Sequence, residues 1–361
     1  MAKEKCKLCD KDFITKYGYV WYPNGTWGKK DGLLLAFMGK EEILNIFGSI
    51  EKTLQRPIDR LLSLAKRIVT VNVVDQEFLG HLMKFLIKIR LVSNKRLTKI
   101  LNQKFIAPIG WGICKKAEID HSKKSALFIV KNYPSIPLIE GALSGLLQYI
   151  FNLPGVEINS REEGDKLKIN VLPRKRDIGL AEYIPKPVLA SELGLLPGNI
   201  EYNLCPKCKI PLDFSERYEW FLDEGRIVDR KTKKDQLLFT RYALDAILGL
   251  LKRELGSEDI SKIIFEAEKG YIKNLYKNEN EEKVLKALLS QKDFGLKGWG
   301  NLKELKEIEE GIEVKIENPF YVEILAGFVA GAYEAVKKEE SKTEWQEKDN
   351  VLLIKIKVIK K

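Results

Sequence analysis

The chain carries one succession of motifs twice. Residues 110–172 hold Gly110-Trp111-Gly112, a β-like run ending at Asn132, a helix-like run with Gly141 and Gly145, and an alternating strand ending near Val171. Residues 298–358 hold Gly298-Trp299-Gly300, a β-like run ending at Asn318, a helix-like run with Gly327 and Gly331, and an alternating strand ending near Val358. Equivalent residues stand 188, 186 or 187 positions apart. A Cys-x-x-Cys pair precedes each copy, Cys6/Cys9 and Cys205/Cys208. Repetition across nearly all of 361 residues implies two units. It also makes a binding or structural protein a better expectation than a single-site enzyme.

The local signals agree between copies. Tyr17-Gly-Tyr19-Val-Trp21-Tyr22 with the turn Pro23-Asn24-Gly25 reads as a hairpin, and so does Tyr218-Glu-Trp220-Phe221-Leu222 with Asp223-Glu-Gly225. Tyr242, Leu244, Ile247, Leu248, Leu251 and Leu255 recur at helical spacing, and Gly256 ends that run. A second helix carries Ile260 to Leu275, and a third spans about 281–289; copy one repeats the series over 40–54, 57–72 and 75–102. Leu167, Ile169 and Val171 alternate, as do Leu352, Ile354, Ile356 and Val358. The expected fold is α+β: two tandem copies of an antiparallel sheet with helices packed on one face, each preceded by a Cys-x-x-Cys knuckle and hairpin. The expected domains are 1–173 and 205–361, joined by an ordered linker over 174–204 in which Leu189 to Leu196 suggest a packed helical turn.

No apolar run reaches the ~18–20 residues of a membrane span, and the N-terminus lacks the apolar stretch of a signal peptide. The expectation is a soluble cytoplasmic protein. Abundant Lys, Glu and Ile beside few Gln, Met and His suggest a thermophilic source. The net charge of +11 is uneven: eleven Lys/Arg and two acids, Glu118 and Asp120, lie between Lys84 and Lys124. Such a face attracts nucleic acid, acidic protein or anionic lipid, or is simply a solvated surface. Nucleic acid is not the favoured partner.

Four of the five cysteines lie in the two pairs, a usage that suits a reducing compartment and a metal site. Cys-x-x-Cys places two thiolates on one tight turn, half of a tetrahedral zinc site. Neither pair fills four positions, and His81 and His121, the two histidines, are remote in sequence. Packing of the copies about a pseudo-twofold axis would let Cys6, Cys9, Cys205 and Cys208 share one Zn²⁺. A redox dithiol, or separate sites completed by another chain, are the alternatives. Cys114 reads as a small buried hydrophobe.

Gly327 and Gly331 share one helix face, as do Gly141 and Gly145. A face bared at two successive turns either admits another backbone or floors a ligand pocket. Trp111 and Trp299 sit at matched places and serve as core plugs or as cavity walls. Tyr321, Phe320, Phe328 and Tyr333 would complete such a pocket in copy two. There is no Gly-rich phosphate loop and no Gly-x-Ser-x-Gly elbow. No catalytic residues are assigned, and a non-enzymatic role is expected.

Residues 235–359 resemble the 4-vinyl reductase domain family, on the helix pair 235–276, the Gly298-Trp299-Gly300 strand, Glu313-Val-Lys-Ile-Glu-Asn318-Pro, Ile324-Leu-Ala-Gly327-Phe-Val-Ala-Gly331 and the closing hairpin. Copy one is similar but more diverged. The resemblance implies a small-molecule-binding α+β fold shared with hydrocarbon-sensing regulators and related to TRAPP trafficking subunits. Metal-binding members carry a cysteine just before the Gly helix and more in the closing hairpin. Here Val322 and Ile136 stand at that place, and the hairpins 156–172 and 342–358 hold no Cys, so that zinc site cannot form. The resulting expectation is a two-copy protein that binds a small hydrophobic molecule at Trp299, Gly327, Phe328, Gly331, Tyr321, Trp111, Gly141 and Gly145. It would signal through a protein partner or homodimer. The alternatives are an assembly protein without ligand and a nucleic-acid binder using 84–124.

Overall fold

The structure, a computed structural model, describes residues 6, 18–30, 32–74, 80–175, 184–278 and 282–359. Leu34-Leu-Ala-Phe-Met-Gly39 is an almost unbroken apolar run, and all of it is buried. Such a run suits a short strand covered on both faces. It forms β3 (Leu34–Gly39), the third strand of a meander with β1 (Tyr19–Trp21) and β2 (Trp27–Lys29). Copy two builds the matching meander from β8 (Tyr218–Phe221), β9 (Arg226–Asp229) and β10 (Lys234–Thr240). β3 and β10 then pair antiparallel, with Met38 opposite Leu237 and Phe37 opposite Leu238. The two hairpins thus merge into one central six-stranded sheet, ordered β1-β2-β3-β10-β9-β8.

A helix pair follows each meander: α1 (Lys40–Leu54) and α2 (Asp59–Val74) in copy one, α7 (Arg241–Leu255) and α8 (Ser257–Leu275) in copy two. The Thr240 hydroxyl caps α7 by accepting the Ala243 N–H at 3.0 Å. The helices pack across the seam, α1 on α8 and α2 on α7. Asn45 of α1 donates to the Ala267 carbonyl at 2.9 Å, and Asn72 of α2 donates to the Tyr242 hydroxyl at 2.7 Å.

Each copy closes with its own four-stranded sheet. Copy one uses β4 (Ile113–Asp120), β5 (Ser125–Lys131), β6 (Gly155–Glu163) and β7 (Lys166–Arg174) in the order β4-β5-β7-β6. Copy two repeats that order with β11 (Asn301–Ile308), β12 (Gly311–Glu317), β14 (Val351–Val358) and β13 (Ser341–Lys348). The first strand of each has a bulge at the matched places Cys114/Lys116 and Leu302/Glu304. β5 and β12 bury every second residue, so one face is dry and the other wet. The dry faces hold the glycine-bearing helices α5 (Ile136–Phe151) and α11 (Val322–Lys337).

The α+β class and the antiparallel sheets agree with the sequence expectation. The sheet count does not: among the described residues there are three sheets, because the hairpins leave their own copies and pair with each other. The third helix expected over 75–102 divides into α3 (Gly80–Lys88) and α4 (Asn94–Ile100), followed by a π-turn over Leu101–Phe105; 75–79 lie outside the described residues. In copy two α9 (Glu282–Leu288) is joined by a further helix, α10 (Gln291–Lys297). The sixth helix in chain order, α6 (Leu212–Arg217), precedes β8. The described part of the linker has a single 3₁₀ turn, Ala190–Glu192, in place of a packed helical turn. It is pinned by polar contacts: Asn318 brackets Leu196, accepting its N–H at 2.8 Å and donating to its carbonyl at 3.0 Å.

Candidate metal centre and its surroundings

Cys205-Pro-Lys-Cys208 forms a tight turn between Leu204 and Pro211, which bridge to each other. The Lys209 N–H closes it on the Cys205 carbonyl at 2.9 Å, and Lys209 takes a left-handed φ of 61°. The Cys205 N–H in turn donates to the Ile210 carbonyl at 2.8 Å. The turn brings both thiols to one side, toward a thiol 199 residues earlier: the sulfurs of Cys6 and Cys205 are 3.8 Å apart. Sulfurs of Cys6, Cys205 and Cys208 all lie within 4.8 Å of one another. Cys6 and Cys205 are buried, Cys208 is half-buried, and none is in a disulfide. Cys9 lies outside the described residues.

The spacing fits a metal. A tetrahedron with Zn–S bonds of about 2.3 Å has S···S edges of about 3.8 Å. Disulfide sulfurs would be about 2 Å apart. The Cys208 backbone N–H, then that of Lys207, point at the Cys205 sulfur and hold its pKa down to about 7 against the effect of burial. The thiolate form that ligates metal is thus more populated at neutral pH than in an ordinary cysteine.

Aromatic residues from both copies wall the centre. Trp21 stacks on Trp27 at 4.8 Å and meets Phe214 edge-on at 4.5 Å, while Phe37 stacks on Tyr218 at 4.5 Å. Phe37 and Phe214 were not legible as site residues: Phe37 sits in an ordinary apolar run, and Phe214 is a lone aromatic between Asp213 and Ser215. Beside them Arg217 bridges Asp229, at 2.9 Å, and Asp293, tying the end of α6 to β9 and α10. Both contacts are largely shielded from solvent.

The residues expected to form a ligand pocket are committed to packing. Gly141 and Gly145 face α2, where an added Cβ would fall 2.4 Å from the Ser63 carbonyl oxygen and 2.5 Å from that of Arg67. Gly327 and Gly331 face α8, with the Phe265 and Lys269 oxygens at 2.7 and 2.5 Å. Helix backbone therefore fills the faces that the glycines bare. Trp299 is buried, donates its indole N–H to the Phe37 carbonyl at 2.7 Å, and meets Phe328 edge-on at 4.9 Å. Trp111 is buried against Phe239 at 5.3 Å. Tyr321 and Phe320 are buried at the start of α11. Tyr333 borders an opening, a cleft of about 990 Å³ that it lines with Leu285, Leu305, Ile312, Glu307 and Glu339.

Cations take matched positions beside the two tryptophans but come from different elements. Lys297 Nζ lies 3.9 Å from the Trp299 ring centre, and Lys66 Nζ lies 4.4 Å from that of Trp111. Lys66 stands where copy two has Glu268, as the Gly141 and Gly327 contacts show. Burial lowers the Lys66 pKa to about 7. Glu268 is fully buried near Glu42 of α1, and burial, then the Glu42 charge, raise its pKa well above the usual carboxylate range. Cys114 is buried with its thiol 3.0 Å from the Lys116 carbonyl, and burial pushes its pKa up to about 12.

Comparison with known protein families, with curated proteins and with solved structures gives no match.

Proposed function

We propose that this chain is a zinc-clamped internal dimer that works by binding rather than by catalysis. The observation that supports it most is the approach of the Cys6 and Cys205 sulfurs to 3.8 Å, across 199 residues and from opposite copies. Cys208 supplies a third thiolate, and Cys9 is assigned as the fourth by its Cys-x-x-Cys spacing from Cys6. Four thiolates make a closed structural site with no open position for substrate. When bound, zinc would join the segment before β1 to the segment before α6 and so lock the two ends of the central sheet. The protein as purified is expected to hold about one zinc per chain, which elemental analysis measures, and Cys205→Ser should release it. Metal-free protein of unchanged melting temperature would refute the clamp.

The binding role rests on the cleft beside Tyr333. Its volume of about 990 Å³ suits a small molecule, and its wall mixes Leu285, Leu305, Ile308 and Ile312 with glutamates. A ligand with an apolar body is the reading that follows. The filled glycine faces favour a second reading, an assembly protein without ligand. Thermal melting against a library of apolar metabolites separates the two, since a true ligand raises the melting temperature by mass action.

A further inference from the structure

Matched residues of the two copies stand 202 apart in the second helix of each pair, Lys66 and Glu268, but 188 apart at the Gly-Trp-Gly strands. Copy one therefore carries an extra 14 residues between these points, in the stretch that forms α3 and α4. The symmetry of the molecule breaks there, and so does the usual distribution of apolar side chains. α3 has two apolar stripes. Met83, Leu86 and Ile87 turn toward the core. Leu82, Phe85 and Ile89 lie on another side and are 71, 56 and 44% exposed; Leu91, just beyond, is 64% exposed. Their spacing of three and four residues makes them one ridge. An exposed cluster of large apolar groups marks an interaction site, whereas single ones need no explanation.

The charge around that ridge says what covers it. From Gly80 to Ala117 there are nine Lys/Arg and not one carboxylate. Lys88 and Arg90 flank the ridge, and Lys95, Arg96 and Lys99 follow on α4, all exposed. The flanking acids in sequence are Asp75 and Glu77 on one side and Glu118 and Asp120 on the other, and Glu118 is paired with Lys116 at 2.8 Å. A second copy of this chain is a poor occupant, because like charge would meet like charge. Nucleic acid would use the cations but gives leucine and isoleucine nothing to enter. An anionic bilayer uses both: phosphates take the cations, and the acyl boundary takes the projecting apolar groups. No helix among the described residues is long and apolar enough to cross a membrane, so contact of this kind would be with the surface.

We propose that the α3–α4 insertion of copy one is a peripheral membrane-binding patch that inserts Leu82, Phe85, Ile89 and Leu91 into an anionic lipid surface. The test is flotation of the full chain with vesicles of phosphatidylcholine and phosphatidylserine at about three to one, against phosphatidylcholine alone. The anionic vesicles should retain at least about tenfold more protein, and added salt should weaken that retention. Phe85→Asp and Leu82→Asp should each reduce retention about tenfold or more, with unchanged melting temperature because both side chains face solvent. Lys88→Glu with Arg96→Glu should reduce it on anionic vesicles. Equal retention on both vesicle types, retention indifferent to Phe85→Asp, or tighter binding to duplex DNA or to an acidic peptide than to the vesicles would overturn the proposal.

Discussion

Gly112 donates its backbone N–H to the Gly225 carbonyl at 2.9 Å, so the turn of one hairpin rests on the Gly-Trp-Gly strand of the other copy. Gly300 and Gly25 repeat the bond at 3.2 Å. Asn132 donates to the Glu224 carbonyl at 3.0 Å, and Asn318 donates to that of Asn24 at 3.2 Å. Contacts that recur in matched pairs mark an approximate twofold axis through the β3–β10 seam. Gly225 has a φ of +68°, and a Cβ there would lie 1.8 Å from the Gly112 oxygen. Gly225→Ala is expected to cost more than about 2 kcal/mol, from the left-handed backbone and the clash together. Denaturant melts would measure it.

The thiol cluster should behave as a clamp in stability as well as in composition. A metal present at 1,000 times its Kd contributes about 4 kcal/mol. A chelator should lower the melting temperature of the native chain and leave that of Cys205→Ser unmoved. Cys6→Ser should match Cys205→Ser, because the two sulfurs share one site.

Glycines of similar sequence context should respond in opposite directions. Gly249 lies in α7 with open space where a Cβ would go. Gly249→Ala should stabilise by about 0.5–1 kcal/mol through helix propensity. At Gly327 the added carbon would meet the Phe265 oxygen at 2.7 Å and the Glu268 Cβ at 2.8 Å. Gly327→Ala should destabilise by about 1–3 kcal/mol. A gain at Gly327 would mean that the helix face is hollow after all.

Lys66 and Glu268 should tilt the stability–pH curve in opposite senses. The raised pKa of Glu268 means that the native state keeps a proton that the unfolded chain releases above the ordinary carboxylate range. Stability linked to it is full below that range and declines as pH rises toward the folded value. Lys66, lowered to about 7, gives the reverse: stability linked to it is full above the ordinary lysine pKa and is lost as pH falls through about 7. Glu268→Gln should therefore stabilise the protein on the alkaline side and do little in acid. Lys66→Met should stabilise it below about pH 7 and do little near pH 11. Lys297 and Glu42 act on Glu268 as well, so Glu268 and Glu42 are expected to titrate as a pair.

Arg217 holds Asp229 and Asp293 at once. Arg217→Ala would strand two shielded carboxylates and should cost about 3–5 kcal/mol. Arg217→Lys should recover only part, since a single ammonium lacks the planar fork that spans both partners. Urea melts of the two variants would show it.

The outer sheets and glycine helices were readable because their patterns are local. Leu167, Ile169 and Val171 alternate in sequence and are buried alternately in space. The central sheet was not readable in the same way. β3 is an apolar run without alternation, and its partner β10 lies 200 residues on; pairing between them is chosen by docking of the two copies, which leaves no local mark. The unbroken run Leu33 to Met38 was the available signal, since continuous apolar strands are those covered on both faces. The thiol cluster was half legible: spacing gave each pair, and only the seam brings Cys6 to Cys205. The tryptophans were placed correctly relative to the glycines, but sequence does not distinguish a cavity wall from a plug when both call for a large flat side chain.

A true homodimer must present the same residue on both sides of its axis, and any change is made twice. Covalent fusion removes that rule. Here one flank has kept a buried acid where the other has a lysine, and one flank has acquired an appendage that its sister lacks. Fixed one-to-one stoichiometry lets each half specialise while the strand seam they share holds both to a common frame.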